Sequence, residues 1–293
     1  MTTLGYCCIS NLNPKLKCSQ ASTLKWLTAN PDKARAKLLE KAKSNLHNLE
    51  KLLHANYAND ILAFRIPEQL LPQADLGYYS ISEFAYELNR IGTIANKYNM
   101  QISQHPSQYF VLNSKRADVV DKTISNLNLF ADILSLMNLN LTPNLTIHVG
   151  AKGGYSGTEA LDAFCDNFAR LNSNAQSYLV VENDQNSFTV QDCLYIHNRI
   201  GIPVVLDSAH HAFNSTISLS EAVSLVLPTW GNRIPKFHLS SEDSQPRHAH
   251  ADYIELSDYL ALANAIGDHQ AIIMLECKNK DEALLQLRSI KGE

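Results

Sequence analysis

Short apolar runs alternate with longer amphipathic stretches along this chain. Each run is short and mainly apolar and is followed by polar or turn residues, which is typical of a buried β-strand. The stretches between the runs repeat apolar residues at helical spacing, and several open with a capping residue and close at Gly or Asn. The strand-like segments are 3–10, 60–66, 100–106, 144–150, 178–184, 202–210, 234–240 and 271–277.

The order of these segments predicts the fold. A strand that alternates with a helix about eight times indicates a parallel sheet, and eight repeats favour a closed barrel over an open sheet. No linker, low-complexity tract or charge block divides the 293 residues. We therefore expect one domain over residues 1–293, with the α/β fold of a single (β/α)8 TIM barrel. The predicted helical segments are 32–56, 81–99, 118–139, 157–171, 189–201, 219–227 and 257–267.

Six of the apolar runs end at a residue that can bind a metal ion. A charged or imidazole side chain at the end of a buried strand is costly unless a partner is present there. In a parallel barrel the carboxyl ends of the strands meet on one face, where enzymes of this fold build their active sites. The shared position therefore predicts one metal site at that face. The residues are His105, His148, Glu182, Asp207 with His210, His238 and Glu276.

The donor types narrow the choice of ion. Imidazole and carboxylate without thiolate suit Mn²⁺, Zn²⁺ or Fe²⁺. The candidates outnumber the ligands of a single ion, so we expect two or three ions that share bridging carboxylates. Such clusters activate water and hold the attacking and leaving oxygens of a phosphoryl group. The six cysteines form no CxxC pair, and we expect them to be reduced.

Each candidate also has an ordinary structural explanation. His148 alone could be a core histidine that bonds to the backbone. Asp207 could cap the next helix, and Glu276 could pair with Lys278 or Lys236. It is the joint pattern at six strand ends that favours the metal site.

The composition argues against a membrane protein, a secreted protein and a protein that coats nucleic acid. No apolar stretch approaches the roughly 20 residues of a membrane span, and the amino-terminal segment lacks the basic start and apolar core of a signal peptide. We therefore expect no membrane association and a cytoplasmic location. The net charge of −4 argues against a protein that coats nucleic acid through excess Lys and Arg. It does not exclude a nucleic-acid enzyme, because bound metal ions add local positive charge.

A set of short motifs stands in order along nearly the whole chain. The motifs are Gly5-Tyr6, Phe64-Arg65-Ile66, His105-Pro106-Ser107-Gln108-Tyr109, His148-Val149-Gly150, Glu182-Asn183, Asp207 with His210, Lys236-Phe237-His238-Leu239-Ser240, His250-Ala251-Asp252-Tyr253 and Leu275-Glu276. Any one motif is weak, but the ordered set is specific. Together the motifs resemble the UV damage endonuclease family of DNA repair enzymes, which consists of metal-dependent TIM barrels related in fold to endonuclease IV and to sugar isomerases.

The resemblance implies a ligand set and a catalytic lysine. In that family the matching side chains hold up to three divalent ions, commonly manganese, with zinc or cobalt as alternatives here. His248 lies in the same polar segment as His250, and only one of the two need be a ligand. Glu182 and Glu276 are placed to bridge ions, which makes them catalytic candidates. The lysine that matches Lys236 is carboxylated in the family, a change that would reverse its charge beside the cations. The implied ligands are His105, His148, Glu182, Asp207, His210, His238, His250 and Glu276.

The resemblance also implies a probe for damaged DNA. The family's Gln-Tyr pair, here Gln108-Tyr109, is thought to wedge into the duplex at the damaged nucleotides. An aromatic ring can replace lost stacking, and unstacking costs less at a distorted lesion, so deformability becomes a source of selectivity. Tyr6 and Asn11 are expected to help line the lesion pocket. The alternative for Tyr109 is an aromatic residue that packs at the end of the barrel.

The chain departs from the family pattern after Ile66. The family usually continues with serines and then a histidine that contributes to the metal site, and no histidine follows here. Gln73 falls near the missing ligand's place, and Asp75 could reach the site instead. Two firmly held ions are therefore a safer expectation than three.

Basic residues just past strand ends are candidates for contacts with DNA phosphates. Arg65 is the foremost of these, and for the others an ordinary surface charge is the alternative. The others are Lys115, Arg116, Lys152, Arg233 and Arg247.

Together these features predict a metal-dependent endonuclease that nicks duplex DNA 5′ to UV photoproducts, both cyclobutane dimers and 6-4 photoproducts. As the resemblance implies, the nick would leave a 3′-hydroxyl and a 5′-phosphate. The expected partner is duplex DNA with UV lesions, with no obligate protein partner and a monomeric state. The alternatives are an abasic-site endonuclease of the endonuclease IV type, a sugar isomerase, and a non-catalytic protein that binds damaged DNA.

Overall fold

Eight parallel strands close into a barrel in this computed structural model, which describes residues 2–243 and 250–292. Each strand pairs with its neighbours in the sequence, and the first pairs with the last. All eight predicted strands are present, so the predicted (β/α)8 barrel is confirmed. The strands are β1 (Thr2–Cys7), β2 (Ala63–Ile66), β3 (Gln101–Gln104), β4 (Asn144–His148), β5 (Leu179–Glu182), β6 (Val204–Asp207), β7 (Lys236–Leu239) and β8 (Ala271–Leu275).

Helices surround the barrel and include every helix that the sequence predicts. None of those in residues 2–243 and 250–292 is long and apolar enough to cross a membrane. The short helices α1, α6 and α8 and the C-terminal α11 were not predicted. The helices are α1 (Leu24–Ala29), α2 (Pro31–Ala58), α3 (Ala85–Lys97), α4 (Ala117–Leu136), α5 (Glu159–Phe168), α6 (Ser173–Tyr178), α7 (Val190–Ile200), α8 (Ser208–Phe213), α9 (Leu219–Val226), α10 (Leu256–Ile266) and α11 (Lys280–Lys291).

Local sequence signals explain where helix α7 begins and ends. Thr189 and Asp192 form a reciprocal capping box, in which each side chain accepts a hydrogen bond from the other residue's backbone N–H. Gly201 ends the helix in the left-handed conformation, with φ 78°. These two signals define the start and the end of the helix that connects β5 with β6. Both strands end at the site described below.

The two faces of the strands have different surroundings. Tyr6 points outward to helix α2, where its hydroxyl donates to Asn56 Oδ1 at 2.7 Å. The residues that alternate with it point into the barrel, and there the packing is tight. A Cβ on Gly5 would lie 2.6 Å from the carbonyl oxygen of Ala63 and 2.7 Å from Met274 Sδ. Only glycine therefore fits at this position.

The register of the strands brings the predicted ligands side by side. His148 pairs with Glu182 between β4 and β5, and Asp207 pairs with His238 between β6 and β7. The fold thus gathers residues distant in sequence at the carboxyl end of the barrel.

Candidate metal centre

Glu182 lies at the middle of the cluster of predicted ligands. Its side chain is buried at the end of β5. Oε2 lies 2.9 Å from His105 Nε2 and 3.9 Å from His148 Nε2, and Oε1 lies 2.8 Å from His238 Nδ1. One carboxylate therefore contacts imidazoles from three different strand ends, which suits a bridging ligand.

Glu276 forms a second carboxylate centre beyond the end of β8. Its Oε1 lies 2.6 Å from a terminal nitrogen of Arg65 and 3.3 Å from His238 Nδ1. Its Oε2 faces His250 Nε2 at 3.8 Å. His238 lies between the two glutamates and links the two halves of the cluster.

Two groups of side chains could each hold a metal ion. In the first, His105, His148 and Glu182 place their ligand atoms within 4.8 Å of one another, and in the second Glu182, Asp207 and His238 do the same. Glu182 belongs to both groups. The structure therefore contains a cluster of metal-competent side chains, as expected, with a carboxylate in the position of a bridge.

The hydrogen bonding of His105 shows that the cluster needs positive charge. Its Nδ1 lies 3.1 Å from the carbonyl oxygen of Pro106, which can only accept, so Nδ1 carries the proton. In the neutral ring Nε2 is then an acceptor, and it faces a carboxylate oxygen of Glu182 at 2.9 Å. Two acceptors at that distance repel unless the ring gains a second proton or a cation is bound by both. The donor set therefore fits a divalent ion.

Arg65 provides an internal cation. Its guanidinium donates to His238 Nε2 at 2.8 Å, so the proton of the neutral imidazole must lie on Nδ1, which donates to Glu182. Neither ring nitrogen then offers a free lone pair. His238 can become a ligand only if Arg65 releases Nε2. Arg65 is thus part of the centre, and the prediction that it contacts DNA phosphate is wrong, because it is buried against Glu276.

Asn183 orients two predicted ligands, and we did not predict this role from the sequence. Its side chain donates to the carbonyl oxygen of Asp207 at 3.1 Å and accepts from the Asp207 N–H at 2.9 Å. Its own carbonyl oxygen lies 3.1 Å from His210 Nδ1, which must therefore carry the proton. His210 consequently offers Nε2 to an ion. In the sequence, the only sign of this role is that Asn183 directly follows Glu182.

Burial sets the protonation of the cluster. It lowers the pKa of His238 to about 4 and raises the pKa of Asp207 to about 7. Burial also acts to raise the pKa of Glu182, but the neighbouring imidazoles outweigh it and lower that pKa well below the ordinary value. Asp207 Oδ2 is buried with no hydrogen-bond partner among the described residues. A neutral imidazole, an ionised carboxylate and an unpartnered carboxyl oxygen are the groups that a metal ion would satisfy.

Lys236 lies two residues before His238 on the same face of β7. It is fully buried, and its Nζ has no hydrogen-bond partner in residues 2–243 and 250–292. Burial lowers the pKa of Lys236 well below its ordinary value, and the positive charge of Arg65 adds to the effect. The interior of the barrel therefore favours the neutral form of the amine.

Comparison with known proteins identifies the family of this chain. A profile of the family described as UV-endonuclease UvdE matches residues 2–292. The chain belongs to this family. It is 35% identical over 266 residues to the UV DNA damage endonuclease of Halalkalibacterium halodurans, with 86% of this chain and 81% of that protein covered. It is 31% identical over 271 residues to the Clostridium perfringens enzyme of that name, with 89% of this chain but only 65% of that protein covered.

A solved structure extends the similarity to three dimensions. The crystal structure of SacUVDE superposes with a TM-score of 0.89 at 32% identity, covering 100% of this chain and 99% of that one. Membership in the UvdE family confirms the expectations of a TIM barrel and of an endonuclease of DNA repair.

Gln108 and Tyr109 lie beside the candidate metal centre. Tyr109 is 80% exposed, and Gln108 lines both cavities next to the ligands. One cavity of about 240 Å³ contains His250, and the other, of about 320 Å³, continues along Tyr109. Gln185, which the sequence did not single out, lines both. The exposure of Tyr109 contradicts the alternative of a packed aromatic.

Two predictions about the lesion pocket have different outcomes. Tyr6 is fully buried and bonded to Asn56, so its predicted place in the lesion pocket is wrong. The error arises because β1 turns this residue toward α2, and the sequence alone did not reveal which face it would take. Asn11 lies in the partly exposed segment after β1, where its backbone N–H donates to Asp281 at 2.7 Å, and its role stays a prediction.

The missing histidine has no replacement at the predicted positions. The amide of Gln73 is held by the backbone of Ser22 at 2.8 and 3.3 Å. Gln73 and Asp75 both line a separate cavity of about 420 Å³ on the other side of Tyr109. Neither belongs to the ligand groups found among the described residues.

The remaining basic candidates have mixed outcomes. Lys115 and Lys152 are exposed near the carboxyl end of the barrel, and Arg116 pairs with Asp118 at 2.5 Å. Arg233 precedes β7 and so lies at the opposite end, which makes its predicted DNA contact wrong. Arg247 and His248 lie outside the described residues.

Proposed function

We propose that this chain nicks duplex DNA immediately 5′ to UV photoproducts, leaving a 3′-hydroxyl and a 5′-phosphate, with Mn²⁺ as the preferred ion. One observation carries the proposal. A buried cluster of imidazoles and carboxylates adjoins cavities whose rim is the exposed Gln108-Tyr109 pair. Family membership and the names of its relatives support the choice of lesion.

Glu182 and Glu276 would hold the ions together with the ligands His105, His148, Asp207, His210, His238 and His250. Bound ions would supply Lewis-acid stabilisation of the scissile phosphate and would lower the pKa of water. Glu182 would be the ligand common to both groups of side chains, which is the role of a bridging carboxylate. Arg65 would balance the charge of Glu276, and His238 Nε2 would be available to an ion only without its hydrogen bond from Arg65.

Lys236 would act from the interior of the barrel. As a neutral amine it can accept a proton from an attacking water or, after addition of CO₂ with loss of a proton, present a carboxylate to the ions. Tyr109 would insert into the stack at the lesion, and Gln108 would bond to the exposed base edges. One barrel provides all of these residues, which supports action as a monomer. A cytoplasmic location, in contact with the DNA, is part of the proposal.

An incision assay tests the proposal. Purified protein with Mn²⁺ is given a 5′-labelled duplex with one thymine dimer, next to an undamaged duplex and one with an abasic site. A single cut directly 5′ to the dimer, with an end that a polymerase extends, is expected. Cleavage at the abasic site alone would favour the endonuclease IV type. Binding without cleavage with any divalent ion would indicate a damage-binding protein.

The variant Glu182→Gln tests the bridging role in the same assay. Loss of a residue that only hydrogen-bonds to a metal ligand lowers metal affinity or activity by about 10 to 100-fold. Loss of a bridging ligand should therefore reduce incision by at least about a hundredfold. Glu221→Gln, at an exposed carboxylate on α9, is the matched control and should cut normally. Near-normal incision by the Glu182 variant would contradict the bridge.

A further inference from the structure

A second polar cavity lies at the opposite end of the barrel from the metal centre. It has a volume of about 200 Å³ and opens where β3, β4 and β7 begin. Its polar wall consists of amide side chains, one hydroxyl and one guanidinium, and no carboxylate lines it. Two of the amides, Gln101 and Asn144, are more than nine-tenths buried. The cavity is therefore a built recess and not a shallow dent in the surface.

Arg233 provides the guanidinium, and all its hydrogen-bond acceptors are neutral. It donates to the carbonyl oxygens of Ser177 at 3.4 Å and Pro143 at 3.3 Å, and to Asn144 Oδ1. Its Nε is enclosed by protein and has no hydrogen-bond partner among the described residues. The ring of Trp230 lies 5.4 Å from the guanidinium carbon. None of these groups carries a negative charge.

The lack of a counter-charge is unusual for this chain. Six of the eight arginines in residues 2–243 and 250–292 pair with a carboxylate. The other exception, Arg288, donates to two backbone carbonyls at solvent-exposed positions. Arg233 is more enclosed, and burial lowers its pKa to about 10 with no acidic group to oppose the effect. A partly desolvated cation of this kind is costly until an anion joins it.

We propose that this cavity binds a small tetrahedral oxyanion at Arg233, either inorganic phosphate or the terminal phosphate of a small phosphomonoester. The planar guanidinium matches the oxygens of such an anion, and charge-assisted bonds of this type are strong. The side-chain amides of Asn140 and Asn232 line the cavity and have no hydrogen-bond partner among the described residues, so they are available as further donors. The site is independent of DNA incision, which takes place at the other end of the barrel.

Titration calorimetry with inorganic phosphate tests the site in the metal-loaded protein at constant ionic strength. Arg233→Met should weaken phosphate binding by at least about tenfold, because a charge-assisted contact is lost. Arg288→Met, which removes the same charge from a position with similar backbone contacts, should bind as the wild type does. Glycerol 3-phosphate in a parallel titration distinguishes the two sources. Binding of both ligands indicates a phosphomonoester site, and binding of phosphate alone indicates an inorganic-ion site.

A second variant keeps the proposal testable if Arg233→Met fails to fold. Asn232 is exposed and makes no side-chain hydrogen bond with described residues, so Asn232→Asp should fold normally. Its carboxylate would supply the missing counter-charge from within the protein. The variant should lose phosphate binding and should unfold at a higher temperature than the wild type in phosphate-free buffer. Unchanged binding in this variant would overturn the proposal, because phosphate would then be bound elsewhere, for example at the metal centre.

A crystal soaked in selenate locates the anion directly. An anomalous peak in the cavity at Arg233 supports the site, and a peak only at the metal centre overturns it. Both variants should retain normal incision of a thymine-dimer duplex. Failure of the anion site would thus leave the proposed nuclease function untouched, and failure of incision would leave the anion site untouched.

Discussion

Replacement of Lys236 by methionine should make the metal-free protein more stable while it abolishes incision. Lys236 is fully buried, and its Nζ finds no hydrogen-bond partner among the described residues. Methionine has nearly the same length and no donor, so it fills the same space inside the barrel. The variant therefore removes an unsatisfied polar group and creates no large cavity.

The size of the expected stability gain follows from the unsatisfied amine of Lys236. A buried donor without a partner costs about 1 to 3 kcal/mol, so we expect a gain of about 2 kcal/mol in the free energy of unfolding. In a domain of this size each kcal/mol shifts the melting temperature by roughly 2 to 4 °C. The melting temperature of Lys236→Met should therefore rise by roughly 4 to 8 °C.

The stability gained by Lys236→Met should also change with pH, in a direction set by the titration of the lysine. Burial lowers the pKa of Lys236 well below its ordinary value of 10.5. Between the lowered and the ordinary pKa, the unfolded chain binds a proton on this lysine that the folded chain does not. Wild-type stability therefore rises with pH in that range, and the advantage of Lys236→Met should shrink as the pH approaches 10.5.

Thermal unfolding followed by circular dichroism at several pH values, with a chelator present, measures both effects. Lys37→Met, which removes an exposed lysine that pairs with Glu40, is the matched control and should change the melting temperature little. A Lys236→Met protein that is less stable than the wild type would refute the reasoning. It would mean that the amine is bonded or modified in the purified protein.

Three further variants test other parts of the structure. Tyr109→Ala should reduce the preference for dimer-containing over undamaged duplex, measured as a ratio of incision rates, and an unchanged ratio would count against the wedge. Asn183→Ala should weaken Mn²⁺ binding by about 10 to 100-fold in calorimetry, since it removes both hydrogen bonds between the side-chain amide and the backbone of Asp207; a normal affinity would limit Asn183 to a structural role. Tyr6→Phe should lower the free energy of unfolding by about 1 kcal/mol through loss of the bond to Asn56. Its lesion preference should be normal, and a reduced preference would restore Tyr6 to the lesion pocket.

The sequence was sufficient to predict the barrel and the convergence of the ligands. Both follow from the same periodic signal, because each apolar run defines a strand and each polar residue at its end must find a partner. His148 and Glu182 illustrate this, since a regular register between β4 and β5 is enough to make them neighbours. No knowledge of individual contacts was needed.

Predictions that depended on the direction of one side chain were less successful. Tyr6 and Arg65 both lie near the end of a strand, yet one faces the helices and the other the barrel interior. The period of two tells which residues share a face but not which face is inside, and a run that is apolar on both faces does not settle the choice. Asn183 was missed for a related reason, since its role depends on contacts with residues 24 and 27 positions away.

The polar interior of this barrel has a consequence for its stability. Barrels of this fold usually fill the interior with branched apolar side chains, whereas here the inner apolar cluster among the described residues consists of Cys7, Ala63, Ile272 and Met274. Above that small cluster lie Lys236 and the ligands, whose charges are only partly satisfied. Most of the apolar stabilisation must therefore come from the layer between strands and helices. Ions that satisfy the ligands would then stabilise the folded state by mass action, so the loaded enzyme should resist unfolding better than the empty one.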